Sequence, residues 1–277
     1  MERAKKIVEE LRRAKKPTEE EVLNVIREYL QVLVLKLIFQ SKFGAVLSFM
    51  GGTCLRVCYD LKRYSEDLDF CLDAPSEIYR FSSLVSHLKR ELELSGFSLM
   101  TSVQEEKVVQ KAFLRFSGFA EHFELRSLRK DQKLHIKLEV DVHPPTLKKE
   151  ERESFFVNRF GEIYPILKHE ISTLFAGKVL ALLGRPFTRG RDYYDLIWYL
   201  SRKTPLNFDY VNRGLKGKRF ASEKEVFGAL QKKVEEVSPS LILKDIRHFL
   251  EDPSEEAWIE KYQDLFRQLM HSRPESV

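Results

Sequence analysis

Two nearby segments decide the fold of this chain: Phe49-Met50-Gly51-Gly52-Thr53 and Arg63-Tyr64-Ser65-Glu66-Asp67-Leu68-Asp69-Phe70. Gly51 and Gly52 permit positive φ and allow the backbone to approach a ligand closely. The apolar residues 45–49 predict a buried strand before this turn, and residues 53–61 predict a helix after it. The first N–H groups of a helix that follows a turn form a ready site for an anion. The glycine turn is therefore a candidate phosphate-binding turn.

An aspartate pair follows in the next predicted strand, residues 68–72. Asp67 and Asp69 are two residues apart, so on a strand they project from the same face. Two carboxylates about 4 Å apart repel each other by roughly 4 kcal/mol at an effective dielectric constant of 20. Such a pair needs a cation, a shared proton or free solvation. Either feature alone is usually an ordinary turn or strand end, but together they indicate metal-dependent chemistry on a nucleoside triphosphate.

The composition is that of a globular protein in a reducing compartment. The 277 residues are 43% hydrophobic and carry a net charge of +5, which is compatible with a nucleotide or nucleic-acid partner without requiring one. The three cysteines show no disulfide or zinc spacing. Residues 1–16 lack the apolar core of a secretory signal, and the longest apolar run, residues 32–39, is too short to cross a bilayer. We therefore expect a cytoplasmic protein without membrane association.

Strand patterns are confined to the first part of the chain. They cover residues 97–103, 108–119 and 135–143, whereas only helical periodicity follows residue 165. A mixed sheet with helices followed by a helical region predicts an α+β architecture. The expected boundaries are a first domain at 1–165, including N-terminal helices, and an all-α domain at 166–277 that contributes to an active-site cleft.

The strand at 135–143 adds candidate metal ligands. Its apolar residues alternate with Lys137, Glu139 and Asp141, which share the other face. If this strand neighbours the aspartate pair, Glu139 or Asp141 supplies a third carboxylate, and three carboxylates can hold two divalent ions. The simpler interpretation is the solvated face of an antiparallel sheet.

A second charged group lies in the helical region. Lys178 sits among apolar residues of a predicted helix, Arg185, Arg189 and Arg191 follow it, and Asp195 lies in the next helix. A lysine that projects from a buried helix is a natural ligand for a triphosphate, because its ammonium is a compact point charge. The alternatives are a lysine that reaches solvent and an ordinary surface network of ion pairs.

Together these motifs resemble those of the nucleotidyltransferase-like AbiEii toxin family, which includes the MenT-type toxins. The matching segments are Gly51-Gly52-Thr53-Cys54-Leu55, then Arg63 to Phe70, the strand with Lys137 and Glu139, Lys178-Val179-Leu180-Ala181-Leu182 with Arg185, and Arg191-Asp192-Tyr193-Tyr194-Asp195-Leu196. They span residues 51–196. The turn has Gly-Gly-Thr where polymerase-β relatives often have Gly-Ser.

The resemblance implies a polymerase-β-type nucleotidyltransferase domain followed by a helical domain. It implies a magnesium-dependent reaction, with two metal ions, that transfers a nucleotide from an NTP to an acceptor, most commonly the 3′ end of tRNA. It also implies that the enzyme is a toxin with a cognate antitoxin. The implied metal ligands are Asp67, Asp69 and Glu139. Lys178 and Asp195 complete the catalytic set. The implied NTP-binding residues are Gly51, Gly52, Thr53, Arg63, Ser65, Lys137 and Arg191.

Two other functions remain compatible with the sequence. One is nucleotide transfer to a small molecule or a protein. The other is a non-catalytic module that binds nucleotides or a partner, although two mutually repelling carboxylates would be a costly feature to retain there.

Overall fold

A computed structural model describes residues 1–73, 77–123, 125, 134–217 and 219–273. The chain divides into two compact units. The first comprises residues 1–60, 64–144 and 153–168, and the second comprises residues 61–63, 145–152 and 169–277. Within the described ranges, no helix is both long enough and apolar enough to cross a membrane.

The first unit is built on a seven-stranded sheet. The strands are β1 (Leu47–Met50), β2 (Asp67–Leu72), β3 (Leu99–Gln104), β4 (Val109–Phe116), β5 (Leu134–Asp141), β6 (Arg152–Arg159) and β7 (Glu162–His169). Their order across the sheet is β3-β4-β5-β2-β1-β7-β6. The β2–β5 and β1–β7 pairs are parallel, whereas β1–β2, β3–β4 and β4–β5 are antiparallel. The sheet is therefore mixed, as expected.

The helices of this unit are α1 (Glu2–Ala14), α2 (Glu19–Phe39), α3 (Gly51–Tyr59), α4 (Phe81–Leu94) and the short α5 (Phe119–His122). Thr18 and Glu21 form the capping box at the start of α2. Helix α2 is buried on most sides, and the apolar face of β2 and β5 (Leu68, Phe70, Leu138 and Val140) is fully buried. The opposite face of these strands carries half-buried polar residues, namely Asp67, Asp69, Lys137, Glu139 and Asp141.

The second unit is helical. It contains α6 (Ile171–Gly184), α7 (Gly190–Ser201), α8 (Phe208–Gly214), α9 (Glu223–Glu236), α10 (Pro239–Ile246), α11 (Glu256–Ile259) and α12 (Tyr262–His271). Phe175 of α6 stacks on Tyr199 of α7 with ring centroids 4.6 Å apart. Residues 61–63 join this unit because Arg63 forms an antiparallel bridge with Leu250 and the Glu251 amide donates to the Lys62 carbonyl at 3.2 Å.

The structure contains two strands that the sequence patterns do not predict. Strands β6 and β7 run from residue 152 to 169 as a hairpin closed at Phe160 and Gly161, both with positive φ. Their polar residues and Pro165 interrupt the alternation that normally identifies a strand. The α+β class itself is confirmed, and so is the helical character of the chain after residue 169.

Candidate active site

The glycine turn lies directly against the second aspartate of the pair. Strand β1 ends at Met50 and α3 begins at Gly51, whose φ is +79°. A Cβ at Gly51 would lie 2.9 Å from the Cβ of Asp69 and closer still to its carboxylate oxygen Oδ2. A side chain at position 51 would therefore be strained, both by the backbone conformation and by the contact with Asp69.

This contact brings a carboxylate to the first turn of α3. The first N–H groups of a helix have no partner within it, and the helix dipole makes this end positive. Met50, which precedes the helix, provides no side-chain cap. The turn thus offers backbone donors to an anion next to the carboxylates of Asp69 and Asp67.

Strand register identifies the carboxylate that neighbours this pair. In the parallel ladder between β2 and β5, Asp69 is opposite Glu139, whereas Asp141 is opposite Cys71. Asp141 also accepts a hydrogen bond from the His143 amide at 2.9 Å. The register therefore favours Glu139 over Asp141 as the third carboxylate beside Asp69, an alternative that alternation alone leaves open.

Glu139 is held between two lysines. Its Oε1 atom lies 2.8 Å from Nζ of Lys137 and 2.8 Å from Nζ of Lys111. Burial by itself raises the pKa of Glu139, but the hydrogen bonds from both lysines outweigh burial and lower the pKa. Glu139 is therefore a carboxylate whose charge is already neutralised within the protein.

Lys111 is a member of this cluster that the sequence-based analysis missed. It lies on β4, directly opposite Glu139 in the antiparallel β4–β5 ladder. Its strand was predicted, but the pairing of that strand with β5 and its register were not. Only the register distinguishes Lys111 from the many other lysines of the chain, so no local sequence signal identifies it.

Thr53 and Ser65 are positioned by buried hydrogen bonds. The hydroxyl of Thr53, which is fully buried, donates to the Asp67 carbonyl, where β2 begins. The Ser65 carbonyl accepts a hydrogen bond from Nε2 of the buried Gln31 at 3.0 Å. Because the Thr53 hydroxyl proton is already used, the backbone of Thr53 is the part that remains suited to a phosphate.

Arg63, Lys178, Arg185, Asp192 and Asp195, which belong to the second unit, form one network of ion pairs. Arg63 binds Asp195 through Nε at 2.7 Å and Nη2 at 2.6 Å. The Nζ atom of Lys178 lies 2.8 Å from Asp195 and 2.7 Å from Asp192. Arg185 pairs with the other oxygen of Asp192. The side chain of Asp195 is fully buried, and that of Arg63 is 2% exposed.

These contacts hold both aspartates in the ionised form. Burial alone raises the pKa of Asp192, but Lys178 and Arg185 outweigh burial and lower the pKa to about 2. Burial also raises the pKa of Asp195, and Arg63 and Lys178 together lower it below its ordinary value. A buried carboxylate with two cationic partners is a means of fixing those partners in place.

The same contacts limit what each predicted residue can do. An ammonium has three N–H donors, and Lys178 directs them to two carboxylates, so one donor is left for a substrate oxygen. Arg191 packs its guanidinium over the ring of Phe249, 4.4 Å from the centroid, while its amide donates to Asp245. The assignment of Lys178, Asp195, Arg63 and Arg191 to catalysis or NTP binding stays a prediction.

The carboxylates of the sheet fit one magnesium ion. Magnesium usually binds to proteins through one or two carboxylates plus substrate phosphates, which corresponds to Asp67 and Asp69 beside an anion-binding turn. In the part of the chain that the structure describes, no three His, Cys, Asp or Glu side chains are grouped as a metal site. Glu139 does not fit as a ligand to a second ion, because two ammonium groups flank its carboxylate.

Known proteins identify the family. The model of the family "Nucleotidyl transferase AbiEii toxin, Type IV TA system" matches residues 33–276. No curated protein has a significantly similar sequence. The crystal structure of JHP933 from Helicobacter pylori is 16% identical, with a TM-score of 0.52 over 90% of this chain and 94% of that one. An antigenic nucleotidyltransferase-like protein from Paracoccidioides brasiliensis is 17% identical, with a TM-score of 0.45 over 81% of this chain and 93% of that one.

The H. pylori structure supports the fold. The family match covers most of the chain, including the glycine turn, the aspartate pair and the ion-pair network of the second unit. The match makes the chain an NTP-dependent nucleotidyltransferase. The chain belongs to the AbiEii family of nucleotidyltransferase toxins from type IV toxin–antitoxin systems.

Proposed function

We propose that the protein transfers a nucleotide from a magnesium-bound NTP to the 3′ end of an RNA, with tRNA as the acceptor. One observation carries most of the proposal, namely the contact between Gly51 and Asp69. It puts backbone donors for a triphosphate beside the two carboxylates that would hold the accompanying magnesium ion. The net charge of +5 is compatible with an RNA acceptor.

In the proposed reaction, the 3′-hydroxyl of the acceptor attacks the α-phosphorus in line with the leaving pyrophosphate. The new bond joins the hydroxyl oxygen to the α-phosphorus, the bond from that phosphorus to the bridging oxygen of the β-phosphate breaks, and the hydroxyl proton is released to solvent. The first-turn N–H groups at Gly51, Gly52 and Thr53 would bind phosphate oxygens. Asp67 and Asp69 would hold the magnesium ion, and when bound there it would lower the pKa of the attacking hydroxyl and neutralise charge on the triphosphate.

Other predicted residues support this arrangement in our proposal. Thr53 anchors the first residue of β2 through the Asp67 carbonyl, so the turn and the aspartate pair are tied to each other. Ser65 is fixed by Gln31 just before the pair. Lys137 lies opposite Asp67 in the β2–β5 ladder, where its ammonium would add positive charge for the triphosphate.

The test is transfer from each of the four labelled NTPs, with magnesium, to total RNA and to purified tRNA. We expect label on RNA with the wild type and at least a thousandfold less with Asp67→Ala. The matched control is Glu106→Gln, which changes an exposed carboxylate in the β3–β4 hairpin. Full transfer by Asp67→Ala would overturn the metal assignment.

The same reactions distinguish the other acceptors. Label on protein or on a small molecule, with none on RNA, would replace the proposed acceptor. No label from any NTP with folded protein, together with NTP binding that does not depend on magnesium by calorimetry, would favour a non-catalytic module. For the toxin role, we expect expression to arrest growth and a cognate antitoxin to relieve the arrest.

A further inference from the structure

We propose that Lys111 and Lys137 supply, at Glu139, the positive charge that a second divalent ion would otherwise supply, so that the protein itself holds one divalent ion, at Asp67 and Asp69. The inference rests on the proposed function and concerns the same site. It differs from the expectation of two metal ions held by three carboxylates, and it gives a role to Lys111.

The positions of the two lysines follow from the backbone. Lys111 and Glu139 are directly opposed in an antiparallel ladder, so their side chains leave the same face of the sheet. Lys137 precedes Glu139 by two residues on β5 and shares that face. Strand register therefore directs both lysine side chains to the face that carries Glu139, and in the observed conformers each ammonium lies 2.8 Å from Oε1 of Glu139.

The charges on this face suit one divalent ion. Around the Asp69–Glu139 register pair, Asp67, Asp69 and Glu139 contribute three negative charges, and Lys111 and Lys137 contribute two positive ones. Asp141 is not counted, because it lies two residues further along β5 and accepts a hydrogen bond from the His143 amide. A single divalent ion then leaves the group at +1, which suits a triphosphate. A second ion at Glu139 would raise this to +3 and would lie beside two ammonium groups at short range, where like charges repel strongly.

The lysines also retain donors for the substrate. Each ammonium has three N–H donors, and the contact with Glu139 needs one from each. The side chains are accessible, with 34% exposure for Lys111 and 23% for Lys137. Glu139 would thus act as a positioning residue that orients two lysines toward phosphate oxygens, for which lysine is a common ligand.

The experiment counts Mn²⁺ ions by electron paramagnetic resonance, with a non-hydrolysable NTP analogue and a nucleotide-only blank. We expect one bound ion per chain for the wild type and for Glu139→Gln. We expect two ions, with the coupled spectrum of neighbouring Mn²⁺ centres, for the double variant Lys111→Met/Lys137→Met. Lys107→Met changes an exposed lysine of the β3–β4 hairpin and serves as the matched control, with one ion.

Two ions in the wild type, or loss of an ion in Glu139→Gln, would overturn the inference. One ion in a folded double variant would also overturn it, because the lysines would then not be what excludes the second ion. If the double variant does not fold, the single variant Lys111→Gln is used in its place, and it should weaken binding of the analogue at least tenfold relative to Lys107→Met. Unchanged binding would contradict the role of Lys111.

Failure of the proposed function has a different signature. It would appear as unchanged Mn²⁺ binding in Asp67→Ala, whatever the ion count of the lysine variants. Loss of the ion in Asp67→Ala together with two ions in the wild type would leave the nucleotidyltransferase site intact and would refute the lysine inference alone.

Discussion

The sheet and the helical unit each contain a pair of aspartates, and the two pairs are treated in opposite ways. Asp67 and Asp69 are half-buried on an accessible face of the sheet. Asp192 and Asp195 are almost completely buried, and cationic side chains surround them, among them Arg63, Lys178 and Arg185. The aspartates of the sheet are thus accessible to a ligand, whereas the ion-pairing capacity of the aspartates in the helical unit is already taken up by cationic side chains.

The difference shows how the chain separates stability from reactivity. Saturated carboxylates fix cationic neighbours, and removing one would leave a buried charge without compensation. Half-buried carboxylates that share one face repel each other, so we expect them to contribute less to stability than to the binding of a cation. The same substitution should therefore mainly lower the stability of the protein in the helical unit and mainly lower metal binding in the sheet.

The largest effect on stability is expected from Asp195→Ala. This variant would leave Arg63 buried without its carboxylate, and we expect a loss of about 3–5 kcal/mol in the free energy of unfolding. Asp67→Ala should change the same quantity by less than about 0.5 kcal/mol. Urea titration monitored by circular dichroism measures both. Equal losses in the two variants would remove the distinction between the pairs.

A smaller effect is expected from Asp192 in acid. Its pKa is about 2 in the folded protein and 3.8 ordinarily, so its stabilising contribution is complete above about pH 4 and is lost as the pH falls towards 2. The stability difference between wild type and Asp192→Asn should therefore shrink by about 2 kcal/mol over that range. Urea unfolding between pH 2 and 6 tests this, with the exposed Asp209→Asn as control. A pH-independent difference would contradict it.

The smallest effect on stability concerns the glycine turn. Gly51→Ala places a Cβ at positive φ and against Asp69, and we expect a loss of about 1–2 kcal/mol together with loss of nucleotide transfer. Gly177→Ala in α6 is the control, because a Cβ there would meet no atom within 4 Å apart from its chain neighbours and the backbone of its own helix. That variant should be stabilised by about 0.5–1 kcal/mol. Normal transfer by Gly51→Ala would show that the turn does not need to approach Asp69.

The local parts of the site could be predicted from the sequence. The geometry of a glycine turn after a strand, and of two aspartates at alternate positions, can be predicted from a few neighbouring residues. The structure brings Gly51 and Asp69 together. The α+β class follows from periodicity in the same way. These features depend on neighbouring residues along the chain, which a single sequence displays directly.

The non-local parts could not be predicted. The preference for Glu139 over Asp141 and the presence of Lys111 both depend on which strands are neighbours and in what register. Strands β6 and β7 were missed because their polar residues lack alternation. The tight pairing of Arg63 with Asp195 joins residues 132 positions apart. The sequence around Arg63, just before the aspartate pair, gives no local sign that its side chain is buried.

The contacts of residues 61–63 determine how this protein can be divided into fragments. Although these residues precede the aspartate pair, their bonding partners, Leu250, Glu251 and Asp195, lie in the last third of the chain. A polypeptide truncated after residue 165 would retain the guanidinium of Arg63 without the carboxylate that compensates it. Two fragments divided at that point would therefore have to reassociate before either acquires its native charge balance, so co-expression of both halves is the appropriate way to study them.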